Sequence, residues 1–286
     1  MRKVILITGT STGLGISIAV DAAKAGHKVY ASMRNLEKRG GLDEASQAAG
    51  VELDVLQLDV RDAGTILAAV DRIVEAEGRI DTLVNNAGVG FVRSTEQASE
   101  DDINWVMDVN FMGVVRCTKA VLPYMRKQRR GHVLTVSSVG GLVGQPFNEI
   151  YCGSKFAVEG YMESLASYVG PSFGLHFTVV EPGGIRSEFA NNVMKHIGKT
   201  GGMLEDEYLP ILKNYIGTSQ ARGDVAYQSA EEVAAVVMKC IEAEVPPVRT
   251  RTSEWSEDLC RMKTEGDPDG KKLQAKVVED FLGKID

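Results

Sequence analysis

The 286-residue chain has no apolar run approaching the roughly 20 residues that a bilayer crossing needs. Its opening stretch, MRKVILITG, is basic and then apolar, but it is too short for an export signal and reads as a strand. Cysteine is scarce. Cys117, Cys152, Cys240 and Cys260 form no C-x-x-C pair, and no histidine stands at metal-ligand spacing to them. The common zinc and dithiol motifs are thereby excluded, no metal is expected, and reduced thiols in a cytoplasmic protein are the simplest reading. Positive charge is in deficit, with a net charge of −7, which argues against a nucleic-acid partner. The one basic run, RKQRR at 126–130, follows a helical pattern, and cations suit a helix C-terminus. His27, His132, His176 and His196 have no motif partners, so no histidine catalysis is expected.

What is present alternates between two periods. VILITG (4–9), KVYASM (28–33), VELDVLQLDV (51–60), IDTLVNNAG (80–88), HVLTVSS (132–138), LHFTVVEPGG (175–184) and PVRTRT (247–252) contain strands. Helical patterns run between them, over about 13–26, 42–50, 63–77, 100–128, 151–169 and 230–243. Continuously apolar strands, each followed by a helix, predict a parallel sheet covered on both faces. Right-handed crossovers make it a doubly wound α/β fold, with ligands at the carboxyl ends of the strands. No linker or repeat divides the chain, so one domain is expected over 1–252, with a charged helical extension over 253–286. Residues 187–228 carry no strand pattern but many apolar side chains, among them Phe189, Val193, Tyr208, Leu212 and Tyr215; an excursion of this kind reads as a substrate lid.

The unusual motifs fall at strand ends. TGTSTGLG (8–15) joins the first strand to the first helix. Gly9, Gly13 and Gly15 let the backbone turn tightly and approach a pyrophosphate, so Gly9, Ser11, Thr12, Gly13, Leu14 and Gly15 are the candidate cofactor loop. The second strand ends in Ser32, Met33 and Arg34 with no acidic residue to hold a ribose 2′-hydroxyl. Arg34 suits a 2′-phosphate, which favours NADP(H) over NAD(H). YCGSK (151–155) places Tyr151 and Lys155 one helical turn apart, on one face, with small residues between them.

TGxxxGxG, NNAG at 85–88, Asn110 in the long helix, a serine ahead of Y-x-x-x-K, and PG after the sixth strand together resemble the short-chain dehydrogenase/reductase family. The likeness runs over about residues 3–252. VYASMRN and PPVRTRT also resemble its hydroxysteroid-dehydrogenase-like subgroup. The resemblance implies a Rossmann fold and assigns roles. Asn86, Ala87 and Gly88 would shape the floor beside the adenosine ribose, and Asp59 with the Val60 backbone would reach the adenine. Pro182, Gly183 and the Ile185 backbone would border the nicotinamide, with Ser187 standing where the family often has threonine. Asn110 would carry a water relay to Lys155. The family's active serine precedes the tyrosine by thirteen positions, which selects Ser138 over its neighbour Ser137.

Hydride transfer to a ketone builds negative charge on oxygen and calls for a proton donor. A phenol of pKa ~10 is a poor base at neutral pH. An ammonium ~5 Å away would stabilise the phenolate by roughly 3 kcal/mol at an effective dielectric near 20, equivalent to about two pKa units. Lys155 is therefore expected to lower the Tyr151 pKa, Tyr151 to act as general acid and base, and Ser138 to orient the substrate oxygen. The substrate is expected to be a small hydrophobic alcohol or ketone, from the apolar lid and from Leu142, Val143 and Phe147. A homodimer or homotetramer paired through the long helices is expected. A nucleotide-binding sensor or scaffold with little turnover is the alternative; a related epimerase or dehydratase fits less well, because the glycine spacing differs.

Overall fold

The computed structural model describes residues 1–221 and 223–282. Residue 222 of the lid segment and residues 283–286 of the extension lie outside the described residues. Nine strands are described: β1 (Val4–Thr8), β2 (Lys28–Met33), β3 (Asp54–Gln57), β4 (Thr82–Asn85), β5 (Gly131–Val136), β6 (Leu175–Glu181), β7 (Gly184–Arg186), β8 (Tyr227–Ser229) and β9 (Arg249–Arg251). The helices are α1 (Leu14–Lys24), α2 (Gly40–Ala49), α3 (Ala63–Glu77), α4 (Glu100–Met107), α5 (Gly113–Gln128), α6 (Glu149–Phe173), α7 (Glu188–Lys199), α8 (Leu209–Ala221), α9 (Gly223–Ala226), α10 (Ala230–Glu242), α11 (Glu254–Thr264) and α12 (Lys271–Leu282).

Seven strands form one parallel sheet in the order β3-β2-β1-β4-β5-β6-β9. The order reverses between β1 and β4, which makes the crevice at their carboxyl ends the switch point of a doubly wound sheet. Strand alternation divides the core in two. Val4, Leu6, Leu83, Val133 and Phe177 pack with side chains of α3, α5 and α6. Ile5, Ile7, Val84, Leu134 and Val180 pack with α1, α2 and α10 on the other face. A strand clothed on both sides buries nearly every side chain, which is why these segments are predominantly apolar, with the buried polar ones such as Thr8, Ser32 and Thr178 hydrogen-bonded to backbone. Among the described residues no helix is long and apolar enough to cross a membrane. The four cysteines are free thiols, all buried.

Two expectations are corrected. The helix foreseen over 100–128 is interrupted by a π-helical turn, Asp108–Met112, between α4 and α5. Asn110 lies in that turn, and the widened backbone turns its amide toward the neighbouring β4 loop. The lid segment does contain a strand: β8 pairs in parallel with β7, with Ile185 in register with Gln228. Three residues are too few for a periodic signal, so this strand rests on tertiary pairing.

Candidate active site

The loop after β1 is shaped by contacts that leave room for nothing larger than hydrogen. Gly9 has φ 73°, and a Cβ there would lie 2.8 Å from the Ala87 Cα. Gly13 has φ 57°, and its Cβ would lie 3.1 Å from that of Ser187, so Ser187 is brought directly against the loop. A Cβ on Gly15 would lie 2.7 Å from the Asn86 amide nitrogen. Left-handed backbone at two of the three positions accounts for the spacing of the motif. Gly13 caps α1 with no side-chain bond, and no acidic residue occupies the first helical turn. The N–H groups there are thus available to an anion, as a pyrophosphate would require. Leu14 is 8% exposed and packs into the core, so only its backbone belongs to the loop; Ser11 is half-buried and Thr12 exposed.

The NNAG segment braces this loop. The Asn86 amide donates to the Thr8 and Gly9 carbonyls at 2.9 and 3.0 Å. The Thr8 hydroxyl accepts from the backbone of Asn86 and Ala87 at 3.1 and 3.0 Å. Thr8 was no candidate from sequence, since a threonine ending a strand carries no signal of its own. Gly88 stands between Asn110 and Lys155: a Cβ there would lie 3.4 Å from Asn110 Oδ1 and 3.7 Å from Lys155 Nζ.

Arg34 is exposed at the end of β2, close enough to help hold the carboxyl of Asp59. Burial pushes that carboxyl up, but hydrogen bonds from Arg61 and the charges of Arg61 and Arg34 outweigh it and keep it below the usual range. Asp59 accepts from the Arg61 backbone at 3.0 Å and is paired to its guanidinium at 3.3 Å. Arg61, unmarked by any motif, therefore joins Arg34 beside the place foreseen for the adenosine. Val60 is buried against Gly113.

Asn110 is 1% exposed. It accepts from the Val89 N–H at 2.8 Å and donates to the Val89 carbonyl at 2.9 Å and the Ser154 hydroxyl at 3.1 Å. Its side chain thus pins the β4 loop to the first turns of α6. Ser138 follows β5 and caps a short 3-10 turn over Val139–Gly141, accepting from the Gly140 N–H at 3.0 Å. A Cβ on Gly140 would lie 3.3 Å from both Ser138 Oγ and the Tyr151 ring, which places the serine and the phenol together over a single glycine. Ser137 points elsewhere, toward Gly141 and Glu159. The Lys155 ammonium lies 5.8 Å from the Tyr151 ring centroid and donates to the Val136 carbonyl at 3.0 Å.

The electrostatics differ from the expectation. Burial pushes the Tyr151 phenol up to about 12, only partly opposed by the hydrogen bond with Ser138. Burial likewise pushes Lys155 down to about 8. The lowering of Tyr151 by Lys155 does not prevail, because desolvation acts on both groups and the ammonium is directed at a backbone carbonyl. Both remain the titratable pair of the crevice, and Tyr151 keeps partial exposure to it.

The far wall is built from the chain after β6. The Pro182 carbonyl accepts from Val139 N–H at 2.9 Å. Gly183 lies against Trp255 of α11, whose ring would be 3.0 Å from a Cβ. Ile185 lies in the β7–β8 pairing. Helix α7 closes over the crevice: Phe189 meets Tyr151 edge-on at 6.1 Å, and both Phe189 and Val193 press on Gly90. Phe147, with φ 61°, packs its ring against Tyr208 and Tyr215 of the lid. Leu142 and Val143 pack in a cluster with Val139, Trp255, Leu259 and Cys260.

A doubly wound sheet with a glycine loop at its switch point, and serine, tyrosine and lysine gathered beside the NNAG segment that braces that loop, is the architecture of a nicotinamide-dependent oxidoreductase. The chain belongs to the short-chain dehydrogenase family, whose model matches residues 3–198. It acts, as the family does, between CH–OH groups and carbonyls with NAD(P)(H). It is 38% identical to human 17-beta-hydroxysteroid dehydrogenase type 1, over 99% of this chain and 87% of that one. It is also 38% identical to bovine retinol dehydrogenase 8, over 94% of this chain and 86% of that one. Among solved structures it resembles an actinorhodin polyketide ketoreductase with NADPH (F189W variant), at 29% identity and TM-score 0.72 over 84% and 90% of the two chains.

Proposed function

We propose that the chain interconverts hydrophobic ketones and secondary alcohols with NADP(H). Tyr151 exchanges the proton, Ser138 orients the substrate oxygen, and Lys155 and Asn110 support the pair. The observation that carries this reading is the meeting of Ser138 and Tyr151 over Gly140, with Lys155 alongside and the glycine loop across the crevice. Gly9, Ser11, Thr12, Gly13, Leu14 and Gly15 would cradle the pyrophosphate through backbone N–H groups. Arg34, with Arg61 beside it, would take the 2′-phosphate; Asp59 and Val60 would border the adenine, and Asn86, Ala87 and Gly88 the ribose. Pro182, Gly183, Ile185 and Ser187 would border the nicotinamide, which when bound supplies or accepts the hydride. Phe147, Phe189 and Val193 give the crevice an apolar wall, which favours a hydrophobic substrate.

A phenol held near 12 is fully protonated at neutral pH. As proton donor it serves reduction across that range; oxidation, which needs the phenolate, should rise with pH. The buried free thiols fit a cytoplasmic setting. Exposed Met112, Phe156 and Tyr168 on the π turn and α6 fit pairing into a homodimer or homotetramer, measurable by light scattering. The central test is Tyr151→Phe assayed for NADPH consumption with a panel of ketones. Turnover should fall by ~10² or more while cofactor still binds. Full turnover in that variant would overturn the reading, and absence of turnover in the unmodified protein would favour a sensor or scaffold.

A further inference from the structure

Below the crevice lies a buried polar cluster that the catalytic reading leaves unused. Glu159, on α6 one turn after Lys155, is 6% exposed, and Glu181, closing β6, is 0% exposed. Two cations approach them from β9, and both have partners. Arg251 donates to Glu181 at 3.1 Å, to Glu257 of α11 at 3.0 Å and to the Pro268 carbonyl at 2.6 Å. Arg249 is paired with Glu163, a further turn along α6. Glu159 has no guanidinium of its own, and the Lys155 ammonium is bonded to the Val136 carbonyl instead.

Counting hydrogen-bond donors sharpens the problem. Both oxygens of Glu159, one oxygen of Glu181 and the Ser137 hydroxyl are buried without a hydrogen-bond partner. The groups are adjacent: a Cβ on Gly141 would lie 2.7 Å from Ser137 Oγ and 2.8 Å from Glu159 Oε1. Glu159 and Glu181 interact with each other and with that hydroxyl. Beside these three carboxyl oxygens stand only two unpartnered donors, the Ser137 hydroxyl and the Arg249 Nε, and two carboxylates in contact in a buried site cannot both stay ionised. One proton on Glu159 turns an acceptor into a donor and resolves the conflict, as in other paired carboxyls.

We propose that Glu159 is a positioning residue for the Tyr151–Lys155 pair: it stands as the neutral acid, sharing its proton with Glu181, and so leaves the Lys155 ammonium free of the carboxylate one turn below it. An ionised Glu159 would draw on Lys155, one turn away on the same helix, as well as on Arg249. Its negative charge would then cancel much of the field that Lys155 exerts on the phenol. Burial and the charge of Glu181 push the Glu159 carboxyl well above the ordinary carboxylate value, in agreement with the donor count. The charged and titratable groups facing it are Lys155 and Glu163 on its own helix, Glu181 from β6, Arg249 and Arg251 from β9, and Glu257 and Cys260 from α11.

The functional meaning rests on Tyr151 and Lys155 acting as proposed above, but its test needs no turnover. Burial pushes Lys155 down to about 8, well apart from surface lysines at ~10.4. A lysine ¹³Cε NMR titration of the full chain, assigned with Lys155→Arg, therefore reads it directly. Glu181→Gln removes one of the two causes that hold Glu159 protonated, the other being burial, so Glu159 should ionise more readily and the Lys155 midpoint should rise. Glu159→Gln should leave the midpoint in place, and the double variant should return it to the starting value. A fall of about a unit in Glu159→Gln alone would mean that Glu159 is ionised, and would overturn the proposal, as would a rise in Glu181→Gln that the second substitution fails to reverse. Should Glu181→Gln not fold, infrared spectra at pH 7 decide. A protonated-carboxyl band present in the unmodified protein and lost in Glu159→Gln supports the proposal; its absence from the unmodified protein overturns it. Failure of the parent reading would show instead as turnover surviving Tyr151→Phe.

Discussion

Around Gly9 the chain is closed in by backbone. The Ala87 Cα, the Asn86 amide and the Thr8 hydroxyl hold the turn at hydrogen-bond and van der Waals distances. Around Phe189 the contacts are ring edges and side-chain ends. Lid helix α7 rests on Gly90 and Tyr151 through Phe189 and Val193. It is latched at its far end by His196, which bonds Asp102 at 3.1 Å and stacks on Trp105 at 4.8 Å. The first arrangement has one solution, because backbone atoms cannot be repacked. The second can shift by rotamer changes. A fold that must hold one constant ligand and admit a variable one has reason to use the first construction for the former and the second for the latter.

Substitutions can break this contrast in order of severity. Gly9→Ala meets both a left-handed φ and the Ala87 Cα, and no side-chain motion relieves either. Cofactor affinity should fall by on the order of 100-fold, measured by calorimetric titration with NADPH. Arg34→Asp lies outside the glycine loop and reverses the charge at the proposed 2′-phosphate position beside Asp59. The NADP(H):NAD(H) ratio of kcat/KM should swing by ~10-fold or more toward NAD(H), and an unchanged ratio would remove Arg34 from the cofactor site. Gly90→Ala sharpens the comparison from the lid side, since its Cβ would lie 2.5 Å from a Val193 methyl. That methyl is the end of a side chain on α7 rather than backbone, so KM for ketone should rise several-fold while the NADPH dissociation constant holds. A parallel loss of cofactor affinity would show that the two regions are one rigid unit.

The smallest effect is expected at the latch. His196→Ala removes one bond and one ring stack, about 1 kcal/mol in all, and should raise KM a few-fold without touching kcat. Burial pushes the Asp102 carboxyl up, but Ser99 and His196 together hold it below its ordinary value. Its contribution to lid docking is therefore present above the usual aspartate pKa and is lost as pH falls through the depressed one. Proteolytic nicking in the 200–210 segment should accelerate in that acid range in the unmodified protein, whereas in His196→Ala it should already be raised at neutral pH with a flatter pH dependence.

The parts legible in the sequence were those with a period or a steric necessity. Predominantly apolar strands gave the parallel sheet, and the glycines of 8–15 had to be glycines because φ and close approach leave no alternative. Tyr151 and Lys155 were visible from helical geometry, since four positions are one turn. The rest depended on neighbours distant in sequence. The π turn at Asn110 exists because the amide reaches Val89 and Ser154, partners 21 and 44 positions away. Leu142 and Val143 pack against side chains of α11, more than a hundred positions on, which no local pattern could foretell. The pKa of Tyr151 was misjudged for the same reason: a Coulomb term can be written from spacing, whereas desolvation depends on everything packed around the group.

Trp255 against Gly183 carries a consequence for how such a chain diversifies. The stretch matched by the family model ends at residue 198, yet this indole comes from a helix more than fifty positions later. An architect would call it a buttress supplied by a different contractor. Sequence drift in the closing helices can tilt the Pro182–Gly183 stretch, proposed above to border the nicotinamide, while every hallmark motif stays letter-perfect, so two chains with identical signatures need not share a preferred alcohol.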